Sequence, residues 1–230
     1  MREVVLDTET TGLDVLAGHR VVEIGCVELV NFLPTGRTYQ VYLDPEMPMP
    51  FEAEQIHGLS DDFLRGKPKF AEIADAFLDF IQDGQVVAHN AKFDVGFLNA
   101  ELEKIGRPHL TSTIVDTVRL ARKKYPGASV SLDALCRKFT IDTTAREKHG
   151  ALLDSELLAQ VYLEIVGGRQ PGLTLATDAT PQGPQAAVTN SDNGAPTRDV
   201  RPPRDHQPSD TERAAHQAFI DSLTEPVWNW

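Results

Sequence analysis

The chain is short of cysteine, of positive charge and of long apolar runs, and each shortage narrows what it can be. Its 230 residues include two cysteines, Cys26 and Cys136. Two thiols with no ligand-type spacing argue against a disulfide framework and point to a reducing compartment. No apolar stretch approaches the roughly 20 residues needed to cross a bilayer. A strand begins at Val4-Val5-Leu6 without a basic-then-apolar leader. The expectation is a cytoplasmic protein. Lys and Arg total 22 against 34 Asp and Glu, a net charge of -12. Proteins that grip nucleic acid by neutralising its backbone carry basic patches, so this chain alone should hold DNA or RNA weakly. Acids that bind cations would account for part of the excess, and delivery of substrate by another protein for the rest. Acidity that merely aids solubility accounts for the number equally well.

What is present is ordinary for a globular protein: 41% hydrophobic and 24% charged residues, enough for one well-buried domain with a remainder. Residues 4–6, 21–30 and 39–43 read as consecutive Val- and Leu-rich strands separated by turns. Phe70, Ile73, Ala74, Phe77, Leu78 and Ile81 recur at helical spacing. A short strand at 86–88 leads to a helix over 95–105, and 116–125 looks helical up to Pro126-Gly127. Ser131 can cap a helix over 132–139. A strong helix over 151–166 ends at Gly167-Gly168. A strand meander followed by strand–helix alternation predicts an α/β domain, a mixed sheet flanked by helices, over residues 1–168.

Three clusters carry the chemistry: Asp7-Thr8-Glu9-Thr10-Thr11-Gly12, His89-Asn90-Ala91-Lys92-Phe93-Asp94, and His149-Gly150-Ala151-Leu152-Leu153-Asp154. Asp7 and Glu9, two apart on a strand, project to the same face. Asp94 opens a helix, where the dipole alone would accommodate an acid. Asp154 lies in the first turns of the last helix of the domain, and His149 precedes that helix across Gly150. Hard divalent cations take oxygen ligands and keep several waters, so a few carboxylates and substrate phosphates satisfy them. Two such ions can clamp the attacking and leaving oxygens of a phosphoryl displacement. Histidine is the group whose ordinary pKa suits a general base near neutrality. Each residue alone has a plainer reading as a strand-end acid, a helix-start acid or a surface histidine. Together, at strand and helix ends that can face one cleft, they read as a metal-dependent nuclease.

These clusters resemble motifs I, II and III of the DEDDh exonuclease superfamily, with the shorter His-x-Ala-x-x-Asp form of the third. Glu23-Ile24-Gly25, Tyr39-Gln40-Val41-Tyr42-Leu43, Ile56-His57-Gly58-Leu59-Ser60, Lys67-Pro68-Lys69-Phe70 and Ser131-Leu132-Asp133-Ala134-Leu135-Cys136 narrow the resemblance. They are similar to the epsilon (proofreading) subunits of bacterial DNA polymerase III, and the likeness covers residues 3–168. It implies a ribonuclease-H-like fold with a mixed five-stranded sheet. It implies 3′-5′ removal of mispaired terminal nucleotides as nucleoside 5′-monophosphates, with two divalent ions, Mg²⁺ or Mn²⁺. By the same resemblance Asp7 bridges both ions, Glu9 and Asp154 serve one of them, and Asp94 completes the set. His149 is then the general base. Glu52 and His57, in a loop over 51–58, would contact the terminal nucleotide along with Asp7, Glu9 and Asp154. The backbone of 8–11 and the ring of Phe93 would border it. His89 and Asn90 are expected to tie the strand-to-helix turn together. A free-standing RNA exonuclease of the oligoribonuclease kind and a non-catalytic adaptor share the fold. The long tail argues against the first, and the intact carboxylates and histidine against the second.

That tail begins after Gly168. Residues 169–208 are rich in Pro, Thr, Gln and Gly with almost no large apolar side chains, a composition that reads as a flexible tether. Over 209–230 a pattern returns: Ser209 or Asp210 can cap a short helix bearing Ala215, Phe219 and Leu223 on one face. Both tryptophans, Trp228 and Trp230, lie in the last three residues. Aromatic anchors beside a short amphipathic helix suit a segment that docks on a partner. The resemblance implies that the partner is the polymerase alpha catalytic subunit. Gln170-Pro171-Gly172-Leu173-Thr174-Leu175 resembles short peptides that insert apolar residues such as Leu173 and Leu175 into the bacterial sliding clamp.

Overall fold

The computed structural model describes residues 1–144, 146, 148–167 and 209–221, in two units that lie within Met1–Ala176 and Thr177–Trp230. Strands β1 (Arg2–Thr10), β2 (Val21–Val30), β3 (Leu33–Tyr42), β4 (Gln85–Ala88) and β5 (Ile114–Asp116) form one sheet in the order β3-β2-β1-β4-β5. The first three pair antiparallel, whereas β4 joins β1 and β5 joins β4 in parallel. Helices α1 (Phe51–His57), α2 (Asp61–Leu64), α3 (Phe70–Ile81), α4 (Lys92–Lys104), α5 (Thr117–Lys124), α6 (Leu132–Phe139) and α7 (Ala151–Val166) complete the first unit. The mixed five-stranded sheet flanked by helices is the expected α/β architecture.

Several bounds differ from the sequence reading, each for a physical reason. β1 continues past Leu6 to Thr10 because β2 pairs with the polar half as well, Asp7 opposite Gly25 and Glu9 opposite Glu23. β3 starts at Leu33 rather than 39, across a register irregularity between Val27 and Leu29. The 51–58 segment is not a loop: Phe51–His57 is a helix that ends on Gly58, whose φ of 79° favours glycine. Helix α4 begins at Lys92, which puts Asp94 in its first turn. Asp116 belongs to β5 and caps α5 by accepting from the Val118 and Arg119 amides.

Strand alternation sorts the core. Val4 and Leu6 pack with Phe77, Ile81, Phe97 and Leu102 of α3 and α4. Val5, with Val27, Leu29 and Val87, packs on Leu158, Ala159 and Tyr162 of α7. Asp7 and Glu9 follow Val5 in the alternation, so they emerge on the α7 face. Fully buried side chains such as Phe77 and Leu158 each contribute roughly 1.5–3 kcal/mol. Helix α7 meets β2 at unusually close range. A Cβ on Gly25 would lie 2.2 Å from the Ala151 carbonyl carbon and Leu152 nitrogen, and Ser155 Oγ donates to the Gly25 carbonyl at 2.9 Å. Only glycine lets the helix start this near the sheet.

In the second unit α8 (Asp210–Asp221) is capped by Ser209. Ser209 Oγ accepts from the Glu212 amide at 3.3 Å, and the Glu212 carboxylate accepts from the Ser209 amide at 2.9 Å. This reciprocal pair is a capping box. Among the partner-binding candidates, Phe219 is on this helix, whereas Gln170, Leu173, Leu175, Trp228 and Trp230 lie outside the described residues.

Candidate active site

The carboxylates arrive from three elements. β1 contributes Asp7 and Glu9, α4 contributes Asp94, and α7 contributes Asp154. Asp94 is fixed by Thr8, whose amide and hydroxyl both donate to its Oδ1, at 3.1 and 2.8 Å. His149 precedes α7 as expected, and its amide donates to the Ile56 carbonyl at 3.3 Å. Its ring turns inward, with Nδ1 3.2 Å from Asp154 Oδ2. Glu9, His149 and Asp154 each offer one ligand atom, and these atoms lie within 4.8 Å of one another.

Crowded negative charge shows in the proton affinities. Burial, then the charges of Asp94, Glu9 and Asp154, hold the Asp7 carboxyl well above the ordinary range. Burial pushes Glu9 up to about 8, helped by Asp154, Glu23 and Asp94. Asp94 is pushed by burial to about 7, against its hydrogen bonds from Thr8. Buried oxygen donors this crowded with like charge are a fitting set for hard divalent cations. The sign of the stability effect follows. These groups keep protons in the folded state that the unfolded chain releases near pH 4, so their contribution is full below that and lost as pH rises towards 8. With a chelator, the melting temperature should fall from about pH 5 to pH 8, and Mg²⁺ or Mn²⁺ should restore it most at the alkaline end. A metal effect independent of pH in differential scanning fluorimetry would contradict this account.

Beside the carboxylates lies a cavity of about 410 Å³, lined by residues 8–13, His19, Phe93 and the α1 residues Glu52, Ile56 and His57. His57 is buried. Its Nδ1 accepts from the Leu59 amide at 3.0 Å, so Nε2 carries the proton, and that N–H is directed towards the Thr10 carbonyl without a close hydrogen bond. Burial lowers its pKa, which keeps the ring neutral near pH 7. Phe93 packs against Phe97 in a tilted contact, 4.9 Å between centroids. His89 bonds Thr117 Oγ1 at 2.9 Å and Asn90 takes φ of 68°, the turn-making roles expected of both.

Residue patterns missed several supports. Glu23 lies beneath the site and accepts from the Ala151 amide at 3.1 Å, capping α7 where Gly150 has no side chain to do so. Arg20 forks onto Glu101 at 2.6 and 2.8 Å and ties the start of β2 to α4. Arg146, three residues before His149, grips Asp154 with Nε at 2.5 Å and Nη2 at 2.7 Å. No local spacing signals the Glu23–Ala151 and Arg20–Glu101 contacts, which span 128 and 81 positions.

A family model described as an exonuclease matches residues 4–162. The chain belongs to the exonuclease family. It is 42% identical over 228 residues to DNA polymerase III subunit epsilon of Rickettsia felis, covering 97% of each chain. The epsilon subunit of Escherichia coli K12 is likewise 42% identical over 228 residues, covering 96% of this chain and 92% of the relative. Among solved structures, Exonuclease X in complex with 5′-overhanging duplex DNA matches with a TM-score of 0.57 at 25% identity, over 71% of this chain and 90% of that one. The nuclease domain of 3′hExo, a DEDDh family member bound to rAMP, matches with a TM-score of 0.64 at 17% identity, over 72% and 91%. The fold is therefore the ribonuclease-H-like exonuclease fold, and both the superfamily and the epsilon-subunit resemblance are borne out.

Proposed function

We propose that the cluster of Asp7, Glu9, Asp94, Asp154 and His149 is the hydrolytic centre of a proofreading exonuclease, and that the adjoining cavity holds the 3′-terminal nucleotide. Membership in the exonuclease family and the full-length epsilon relatives make the chain a metal-dependent 3′-5′ exonuclease of DNA polymerase III. The observation that carries the finer reading is convergence: Glu9, which lines the cavity of about 410 Å³, brings its ligand atom within 4.8 Å of those of Asp154 and His149, and Asp7 feels the charges of Asp94, Glu9 and Asp154. Asp7, Glu9, Asp94 and Asp154 would hold two divalent cations, Mg²⁺ or Mn²⁺, with Asp7 shared. When bound, such ions supply Lewis-acid polarisation and neutralise charge on the scissile phosphate and the leaving oxygen.

The chain's own residues do the rest. His149, half-exposed at the rim, takes the proton of the attacking water. The buried His57 Nε2–H and the Glu52 carboxylate offer a donor and an acceptor to the terminal nucleotide, and Phe93 borders it. A mispaired end costs less to unpair, so selection by fraying needs no base-specific contact.

The 209–230 segment would dock on the polymerase alpha subunit, and 170–175 on the sliding clamp, from the bacterial cytoplasm. No described helix is long and apolar enough to cross a membrane. A 3′-mismatched DNA substrate should release nucleoside 5′-monophosphates faster than a matched one, and faster than RNA. Preferred cleavage of RNA would favour an oligoribonuclease-like role. Removal of 209–230, or Trp228→Ala with Trp230→Ala, should abolish co-purification with the alpha subunit while hydrolysis of short single strands persists. Undiminished co-purification would refute the docking role. Leu173→Ala with Leu175→Ala should weaken retention of the polymerase–exonuclease assembly on the clamp, and unchanged retention would dismiss that peptide.

A further inference from the structure

Among the described residues Arg146 is a cation that reaches the carboxylate cluster, and its charge lowers the proton affinity of both Asp7 and Glu9. It does so by direct occupation. Nε and Nη2 engage the two oxygens of Asp154 at 2.5 and 2.7 Å, and Nη2 also lies 2.9 Å from His149 Nδ1. Nη1 donates to the Asp133 carboxylate. The side chain is 9% exposed, so the guanidinium is held inside the site rather than laid over it. Asp154 and His149 belong to the set of three ligand atoms that lie within 4.8 Å of one another. The arginine thus sits on the donors a divalent ion would need.

Two further facts give this contact a consequence. A guanidinium stays charged at any working pH and can only donate hydrogen bonds. It cannot leave by losing a proton, and its contact with Nδ1 uses that nitrogen's lone pair. A cavity of about 250 Å³, lined by Asp133, Arg137, Thr143 and Arg146, lies alongside and can receive the displaced side chain.

We propose that Arg146 is the built-in counter-cation of the metal-free site. It neutralises Asp154 and restrains His149 until a divalent ion displaces it, so metal affinity is set by competition with this arginine. The idea rests on the metal-ligand reading above.

The test uses the full chain without DNA, freed of metal by chelation and dialysis, with Mn²⁺ as the titrant in calorimetry. Losing the competitor should make Arg146→Gln bind Mn²⁺ about tenfold tighter, because the ion no longer breaks a bidentate charged pair. The metal-free variant should also melt a few degrees lower, its carboxylates having lost their partner. Arg146→Lys keeps the charge without the fork and should resemble Arg146→Gln in Mn²⁺ affinity. Equal or weaker Mn²⁺ binding by Arg146→Gln, with the parent chain binding normally, would overturn the counter-cation role and leave the metal ligands standing. An Arg146→Lys affinity equal to the parent's would overturn it too, since diffuse charge repulsion would then suffice. Failure of both parent and Arg146→Gln to bind Mn²⁺ would overturn the metal reading, and this proposal with it.

Discussion

Asp7→Asn should lower hydrolysis of single-stranded DNA ends by at least about three orders of magnitude, since ion-based charge stabilisation supplies several kcal/mol and each 1.36 kcal/mol is tenfold in rate. The same substitution should raise, or leave unchanged, the melting temperature of the metal-free protein. Asp7 is burdened by burial and by the charges of Asp94, Glu9 and Asp154, and a neutral amide of the same shape relieves that repulsion. Opposite movement of activity and stability is the mark of a residue kept for chemistry rather than for folding. Near-full activity at saturating metal would refute the proposed role of Asp7 as the shared ligand.

His149→Ala should cost roughly two to four orders of magnitude in rate, the usual span for a general base. Mn²⁺ affinity should change little. The geometry makes the alternative concrete, because His149 offers a ligand atom within 4.8 Å of those from Glu9 and Asp154. Calorimetry beside single-turnover rates separates the two roles. A variant that loses metal affinity yet keeps its rate per bound metal would make His149 a ligand.

What could be read from the residues follows from how local each signal is. The strand at 21–30 and the helices at 70–81, 132–139 and 151–166 have the bounds the pattern gave them. In each, apolar period and end signals agree, as with Ser131 accepting from the Ala134 amide at the start of α6. In β1 the apolar run covers only 4–6, and the two-residue spacing of the acids puts Asp7 and Glu9 on the strand as well, whereas Thr10 is a strand residue only by virtue of β2 alongside. Helix α1 hid for a related reason. It is short, and Phe51 and Ile56 remain exposed, so no core-facing stripe marks it. At the site, the five residues with chemical character were visible in the motifs. Their supports were not: Glu23, Arg20 and Arg146 look like ordinary surface charges until the fold places them.

The Thr8–Asp94 bond spans 86 positions and the Glu23–Ala151 cap spans 128. During synthesis β1 therefore emerges with its two acids long before either partner exists. At ordinary rates of elongation the ribosome needs on the order of 10–30 s to travel from Asp7 to Asp154. Through that interval the nascent chain lacks the full set of residues proposed for the hydrolytic centre. It gains that set only when the start of α7 reaches Gly25 and Glu23, so the order of the residues itself delays the appearance of a nuclease until the domain around it can close.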